Sequence, residues 1–187
     1  MSDFLRRQLT DYVEYHRDPW NCGMHVFGIV FLFLAAVLPL TFWPVSAFGV
    51  QTTAAVILAL PVLIYWLLLD TIIGLAIVVA AALLLSAAAL IVSHASVAIV
   101  WSISAVLVAI GIALQIVGHQ VFERRAPALL DNPGHLLLGP VFVMAKFFVA
   151  LGFRHDLAVI LQPVPQPTQR GSSRYSGESE GEPHLHS

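Results

Sequence analysis

Long apolar stretches fill most of the chain, and polar residues gather in the breaks between them. A helix that crosses a bilayer needs about 20 mostly apolar residues. Residues 23–43, GMHVFGIVFLFLAAVLPLTFW, meet that length with His25 as their only titratable group. Pro44 and Gly49 mark a short turn. Residues 50–69 predict a second span ending at Asp70, residues 71–93 a third and residues 96–118 a fourth. Ser93, His94 and Ser96 make the tight connection between the last two. Ahead of the first span, Phe4, Leu5, Leu9, Tyr12, Val13 and His16 recur at spacings of three and four, which predicts a short amphipathic helix over 3–17.

After the fourth span, residues 119–134 are polar and turn-rich, with Arg124, Arg125, Pro127 and the run Asp131-Asn132-Pro133-Gly134. Residues 135–153 are apolar again but hold Pro140 and Lys146, so this segment either spans or dips in and returns. From Gln162 onward Pro, Ser, Gly and Glu dominate, and the tail is expected to be disordered. The expected architecture is an all-α polytopic membrane protein. It has four transmembrane helices, a short amphipathic N-terminal helix and a fifth apolar segment that either spans or is re-entrant. One membrane domain covers 1–161, and a polar tail covers 162–187.

Composition supports this reading. Hydrophobic residues make up 58% of the chain and charged residues 11%, whereas soluble domains carry about 25% charged residues. One soluble core could not bury so much apolar surface, and a bilayer removes the need. A net charge of −2 gives no case for nucleic acid as a partner. The single cysteine, Cys22, excludes an internal disulfide. Asp3, Asp11, Glu14 and Asp18 in the first stretch, with no small-residue cleavage pattern, argue against a secretory signal. Arg6, Arg7 and Arg17 precede the first span, Arg124 and Arg125 follow the fourth, and the turn at 44–49 has no Lys or Arg. Four spans return the chain to its starting side, so both basic clusters are expected in the cytoplasm. Arg154, Arg170 and Arg174 join them if 135–153 is re-entrant.

That topology gathers chemistry on one face. His16 and Asp18 lie just before the first span, and Asn21 and His25 share a helix face at its start. Gln115, His119 and Glu123 follow at i, i+4 and i+8 where the fourth span ends. Ionisable groups at membrane depth are costly and usually face a bundle interior or cavity. Neutral imidazoles with a carboxylate suit zinc or iron, and ligand type alone does not choose between them. A lone interfacial histidine is more often simply solvated, so the convergence carries the weight. His94 falls across the membrane from this group. His135 is expected near it, His155 at the interface, and His184 and His186 in the tail. Asp70 returns to the same face, either as a partner to a ligand or as a helix-end polar residue. Lys146 is expected to snorkel. No Walker loop, dinucleotide fingerprint, HExxH or hydrolase elbow occurs.

Two motifs add to the residues themselves. Tyr15-His16-Arg17-Asp18-Pro19-Trp20-Asn21 followed by His25 resembles YHxxPxNxxxH, and residues 115–129 resemble QxxGHxxFExxxPAL. Together they resemble the membrane family of Fe(II)-dependent 2-hydroxy fatty acid dioxygenases, over roughly residues 4–153. The resemblance implies α-oxidation: O₂ is consumed, a 2-hydroxy fatty acid loses its C1–C2 bond, and C1 leaves as CO₂. It also implies His16, His25 and His119 as iron ligands, with Asn21 and Glu123 as catalytic positions. The family pattern leads one to expect an acidic residue near position 146, where this chain has Lys146. Short loops and no obvious retention signal point to a bacterial inner membrane, or to the endoplasmic reticulum in a eukaryote.

Two other classes compete. A small transporter would line a path with polar groups, but here they cluster at one face. A structural membrane protein would use its histidines only to cap helices. A di-iron hydroxylase or desaturase would need the HxxxH and HxxHH clusters that this chain lacks.

Overall fold

The computed structural model describes residues 2–47, 49–124 and 134–161. Helix α1 (Asp3–Glu14) begins at Ser2, whose hydroxyl accepts from the Leu5 N–H, and it buries Leu5, Leu9, Tyr12 and Val13 along one stripe. It stops at Glu14, short of the expected 17, and leaves His16 in the connection that follows. Helix α2 (Pro19–Leu40) opens with Pro at its first position and the Asp18 carboxylate over its exposed N–H groups.

The second expected span is shorter than the sequence suggests. Residues 50–53 pair with 44–47 as an antiparallel hairpin, β1 (Pro44–Ala47) with β2 (Val50–Thr53), in the register Pro44↔Thr53. The β-branched Val50, Thr52 and Thr53 favour the extended strand. Helix α3 (Ala54–Leu69) therefore has 16 residues, below the length needed to cross a membrane unaided. Helix α4 (Thr71–His94) and helix α5 (Val97–Val117) follow, and α5 continues as a π-helical turn, Gly118–Glu123.

Among the described residues three helices, Pro19–Leu40, Thr71–His94 and Val97–Glu123, are long and apolar enough to cross a membrane. A fourth crossing is reached if the bent pair α6 (His135–Ala150) and α7 (His155–Leu161), which meet at 117°, is taken as one span. Polar ties hold that pair to the bundle. The Trp66 indole N–H donates to the Leu137 carbonyl at the start of α6, and Arg154, after α6, grips Asp70 between α3 and α4. Both ties lie near the α3–α4 junction, and the bent pair has the form of either a broken span or a re-entrant loop. The polar tail, 162–187, with His184 and His186, lies outside the described residues, as do Arg125 and residues 125–133 of the expected polar connection.

Burial is inverted relative to a soluble bundle. Leu58, Leu68, Leu83, Leu90 and Trp101 point outward, while Ala81, Ala88, Ser104 and Gly111 lie inside. Small residues inside let membrane helices approach closely. Gly28 of α2 faces Gly111 of α5; a Cβ on Gly28 would stand 3.2 Å from the Gly111 carbonyl, and one on Gly111 2.7 Å from Leu32 Cγ. One apolar cluster, including Leu9, Tyr12, Trp66, Ile73, Phe142 and Leu157, joins α1, α6 and α7 to the bundle. A second, around Leu38, Ala55, Ala88 and Val100, closes the hairpin end.

Candidate metal centre

The site is assembled where α1 gives way to α2 and α5 ends. Asp18 Oδ1 accepts from the N–H groups of Trp20 (2.7 Å) and Asn21 (3.3 Å), which fixes the entry of α2. The Asp18 N–H itself donates to Glu123 Oε1 at 2.8 Å, and Asn21 Nδ2 donates to the same oxygen at 3.1 Å. Glu123 therefore ties the π turn to the start of α2, and its negative charge complements the helix N-terminus. Gly118 makes the contact possible, because a Cβ there would run into Asn21 Oδ1.

His16, His25 and His119 all lie buried in the space this tie encloses. One ligand atom from each falls within 4.8 Å of the others, and His16 Nε2 is 3.1 Å from His25 Nε2. The rings meet edge to face, with centroids 4.3 to 4.9 Å apart. His16 Nδ1 donates to the Tyr12 carbonyl at 3.0 Å, which leaves the lone pair on Nε2, and the Tyr12 ring stacks on it at 4.1 Å. Burial holds the His16 pKa down to about 4, so the imidazole is neutral at pH 7, as a metal ligand must be.

These residues fit a transition metal. His119 Nδ1 is buried with no hydrogen-bond partner among the described residues, and such an atom costs roughly 1–3 kcal/mol if nothing offsets it. Two nitrogens bonded to one ion at about 2.1 Å and near a right angle stand roughly 3 Å apart, and the His16–His25 pair is already at 3.1 Å. No carboxylate belongs to the group among the described residues.

A cavity of about 260 Å³ opens from the cluster between α2, α5 and α6. His16, His25, His119, His135 and Gln115 supply its polar wall, and Ile29, Leu32, Ile112, Ile116 and Leu136 its apolar one. It is shaped for a ligand with a polar head and a hydrocarbon body.

The sequence profile of the family described as 2-hydroxy-palmitic acid dioxygenase Mpo1-like matches residues 2–151. The chain belongs to the Mpo1-like family. Over 161 residues it is 35% identical to the 2-hydroxy-palmitic acid dioxygenase MPO1 of Saccharomyces cerevisiae, covering 84% of this chain and 87% of the yeast protein. No solved structure matches.

In this Mpo1-like chain the cluster collects residues that are distant in sequence, and others fall elsewhere. His94 is exposed at the hairpin end, bonded to Leu90 and Ser93. His155 is exposed at the start of α7. Asp70 does not reach the cluster; it caps α4 through the Ile72 and Ile73 N–H groups and pairs with Arg154 at 3.0 Å. Burial works against ionising Asp70, but the bonds from Arg154 and Ile73 outweigh it and hold its carboxyl below the usual range. Lys146 turns inward rather than snorkelling, with Nζ 2.8 Å from Cys22 Sγ and 4.8 Å from the centre of the Phe142 ring.

The polar stripe on α5 is broken by the π turn: Gln115 and His119 face the cavity, while Glu123 swings to Asp18 and Asn21. His135 is the residue that spacing missed. It lines the cavity, buried, with its ring 5.5 Å from Tyr12 and 5.8 Å from Tyr15. Its only sequence signal is its place after Pro133-Gly134, at the start of an apolar helix.

Proposed function

We propose that this chain is an Fe(II)-dependent dioxygenase that shortens 2-hydroxy fatty acids by one carbon. The observation that carries the reading is the convergence of three buried imidazoles at the polar end of an otherwise apolar cavity. The reaction balances as a 2-hydroxy acid plus O₂ giving the acid one carbon shorter, CO₂ and water. His16, His25 and His119 would hold the iron. When bound, the iron would supply the redox chemistry for O₂.

The chain's own residues do the rest. The Tyr12 carbonyl fixes the tautomer of His16. Glu123 and Asn21 act as positioning residues: they lock the π turn onto α2 and so hold His119 against His16 and His25. Gln115 would offer a hydrogen bond to the carboxylate or hydroxyl from the cavity wall, which His135 also lines. Ile29, Leu32, Ile112 and Ile116 keep the acyl chain in apolar surroundings and exclude water.

The site and the N-terminus lie at the cytoplasmic face of the bilayer. Arg6, Arg7, Arg17 and Arg124 flank that end, and residues 41–53 and 94–96 at the other end carry no Lys or Arg. In that orientation the short α3 makes the fourth crossing, with the β hairpin at its far end. The test supplies purified, iron-loaded protein with a 2-hydroxyhexadecanoic acid labelled with heavy carbon at C1, under air and under nitrogen. Labelled CO₂ and pentadecanoic acid under air alone are expected. Products that form equally under nitrogen, or no cleavage with iron bound, would overturn the reading.

A further inference from the structure

A second cavity of about 110 Å³ lies among α2, α3, α4 and α6, walled by Phe33, Trp66, Ala81, Leu84, Val143 and Met144, among others. Its one polar side-chain group, the Trp66 indole N–H, is already bonded to the Leu137 carbonyl at 2.7 Å. Water needs two to four polar partners, so this space suits hydrocarbon; an apolar cavity of about 150 Å³ takes a benzene-sized molecule.

Ile29 is the one described residue that borders both this cavity and the histidine cavity. It packs over Gly139 of α6, where an added Cβ would come within 2.8 Å of Ile29 Cδ1. Gly139 lines the first cavity and its neighbour Pro140 the second, so α2 and α6 together form the partition.

We propose that the second cavity receives the distal methylenes of the 2-hydroxy acid whose head lies among the histidines, and that Ile29 over Gly139 is the partition that sets chain length. This rests on the function proposed above. The long chain bends past Ile29 and ends against Ala81 and Leu84. In a bilayer the tail gains little from leaving lipid, so selection comes from shape. Forcing extra atoms into a packed space costs about 1–3 kcal/mol, or roughly 5- to 150-fold.

The experiment has a binding arm and a turnover arm. Trp20, Trp43 and Trp101, each more than half exposed, are changed to Phe, leaving Trp66 as the sole tryptophan, excited at the red edge where tyrosine does not absorb. A long 2-hydroxy acid brominated near its methyl end is then added to the protein in nanodiscs, with brominated phospholipid as a separate arm. The proposal expects the acid to quench Trp66 and the brominated lipid to quench it far less. Ala81→Phe should abolish that quenching and lower kcat/KM for long acids by about tenfold or more, with short-chain acids cleaved as before. Ala80→Leu, a milder filling of the same space, should act in the same direction.

Unchanged chain-length preference in both variants, with Trp66 unquenched by the acid or quenched equally by lipid, would place the tail in the bilayer and overturn the proposal. If no 2-hydroxy acid is cleaved by the parent protein, the proposed function fails. The quenching arm still decides whether the cavity holds an acyl chain.

Discussion

At one end of the bundle His16, Asn21, His25, His119 and His135 are all buried; at the other, His94 is exposed and bonded to the Leu90 carbonyl and the Ser93 hydroxyl. The same helices, α2 and α5, run between both ends and touch along their length through Gly28 and Gly111. The difference lies in what covers the helix ends. The hairpin end is closed by two short strands and by apolar side chains such as Leu38 and Val100. The histidine end is covered by α1, α6 and α7, whose apolar faces pack onto Trp66, Ile73 and Ile77. Taking polar nitrogens out of water in a membrane protein thus requires more than the spans; it requires a layer of helices laid over them. Among the described residues, the three imidazoles close enough together to hold an ion lie at the covered end.

The largest effect should come from emptying the covered end. His25→Ala or His119→Ala is expected to abolish iron retention and lower turnover by at least about 100-fold. Loss of even an outer partner of a ligand typically costs about 10- to 100-fold. Metal analysis and product mass spectrometry read both. Next, Asp70→Asn tests the cover itself. Arg154 holds α6 and α7 to the α3–α4 junction through Asp70, with both side chains largely buried. Removing the charge is expected to cost about 2 kcal/mol by denaturant unfolding in detergent.

The pH dependence of that pair has a definite sign. The folded-state pKa of Asp70 lies below its unfolded value. The contribution is therefore complete above the ordinary carboxylate range and is lost as pH falls through the lowered pKa. Asp70→Asn should flatten that acid limb.

Glu123→Gln comes third. Glutamine keeps an oxygen for the Asp18 N–H and Asn21 Nδ2 but loses the charge. A cost of about 1 kcal/mol and a several-fold fall in rate with iron retained are expected. Loss of iron would instead make Glu123 a ligand. His94→Ala, at the uncovered end, should change neither metal content nor turnover, and a metal-free variant would break the two-ended account.

Much of this was legible in the sequence. The apolar runs located α2, α4 and α5, and the three- and four-residue spacing located the buried stripe of α1. Asn21 and His25 share a face because four residues make about one helical turn. What was missed depends on tertiary or local backbone detail. Val50–Thr53 read as the start of a span because the apolar run from Ala54 was carried back to the turn at Gly49, although Val50, Thr52 and Thr53 are β-branched and suit a strand. The π turn has no periodic signature, yet it sends His119 and Glu123 to different partners. The inward Lys146 and the Asp70–Arg154 grip join residues 84 or more positions apart, and His135 comes from a segment that spacing could not orient. Hydropathy describes a helix against lipid, and it cannot describe one helix against another.

The most direct test of the central claim is iron stoichiometry, measured by elemental analysis on the parent protein, His25→Ala and His94→Ala purified side by side. The account predicts about one iron per chain in the parent and in His94→Ala, and almost none in His25→Ala. Iron held at the parental level in His25→Ala would contradict it.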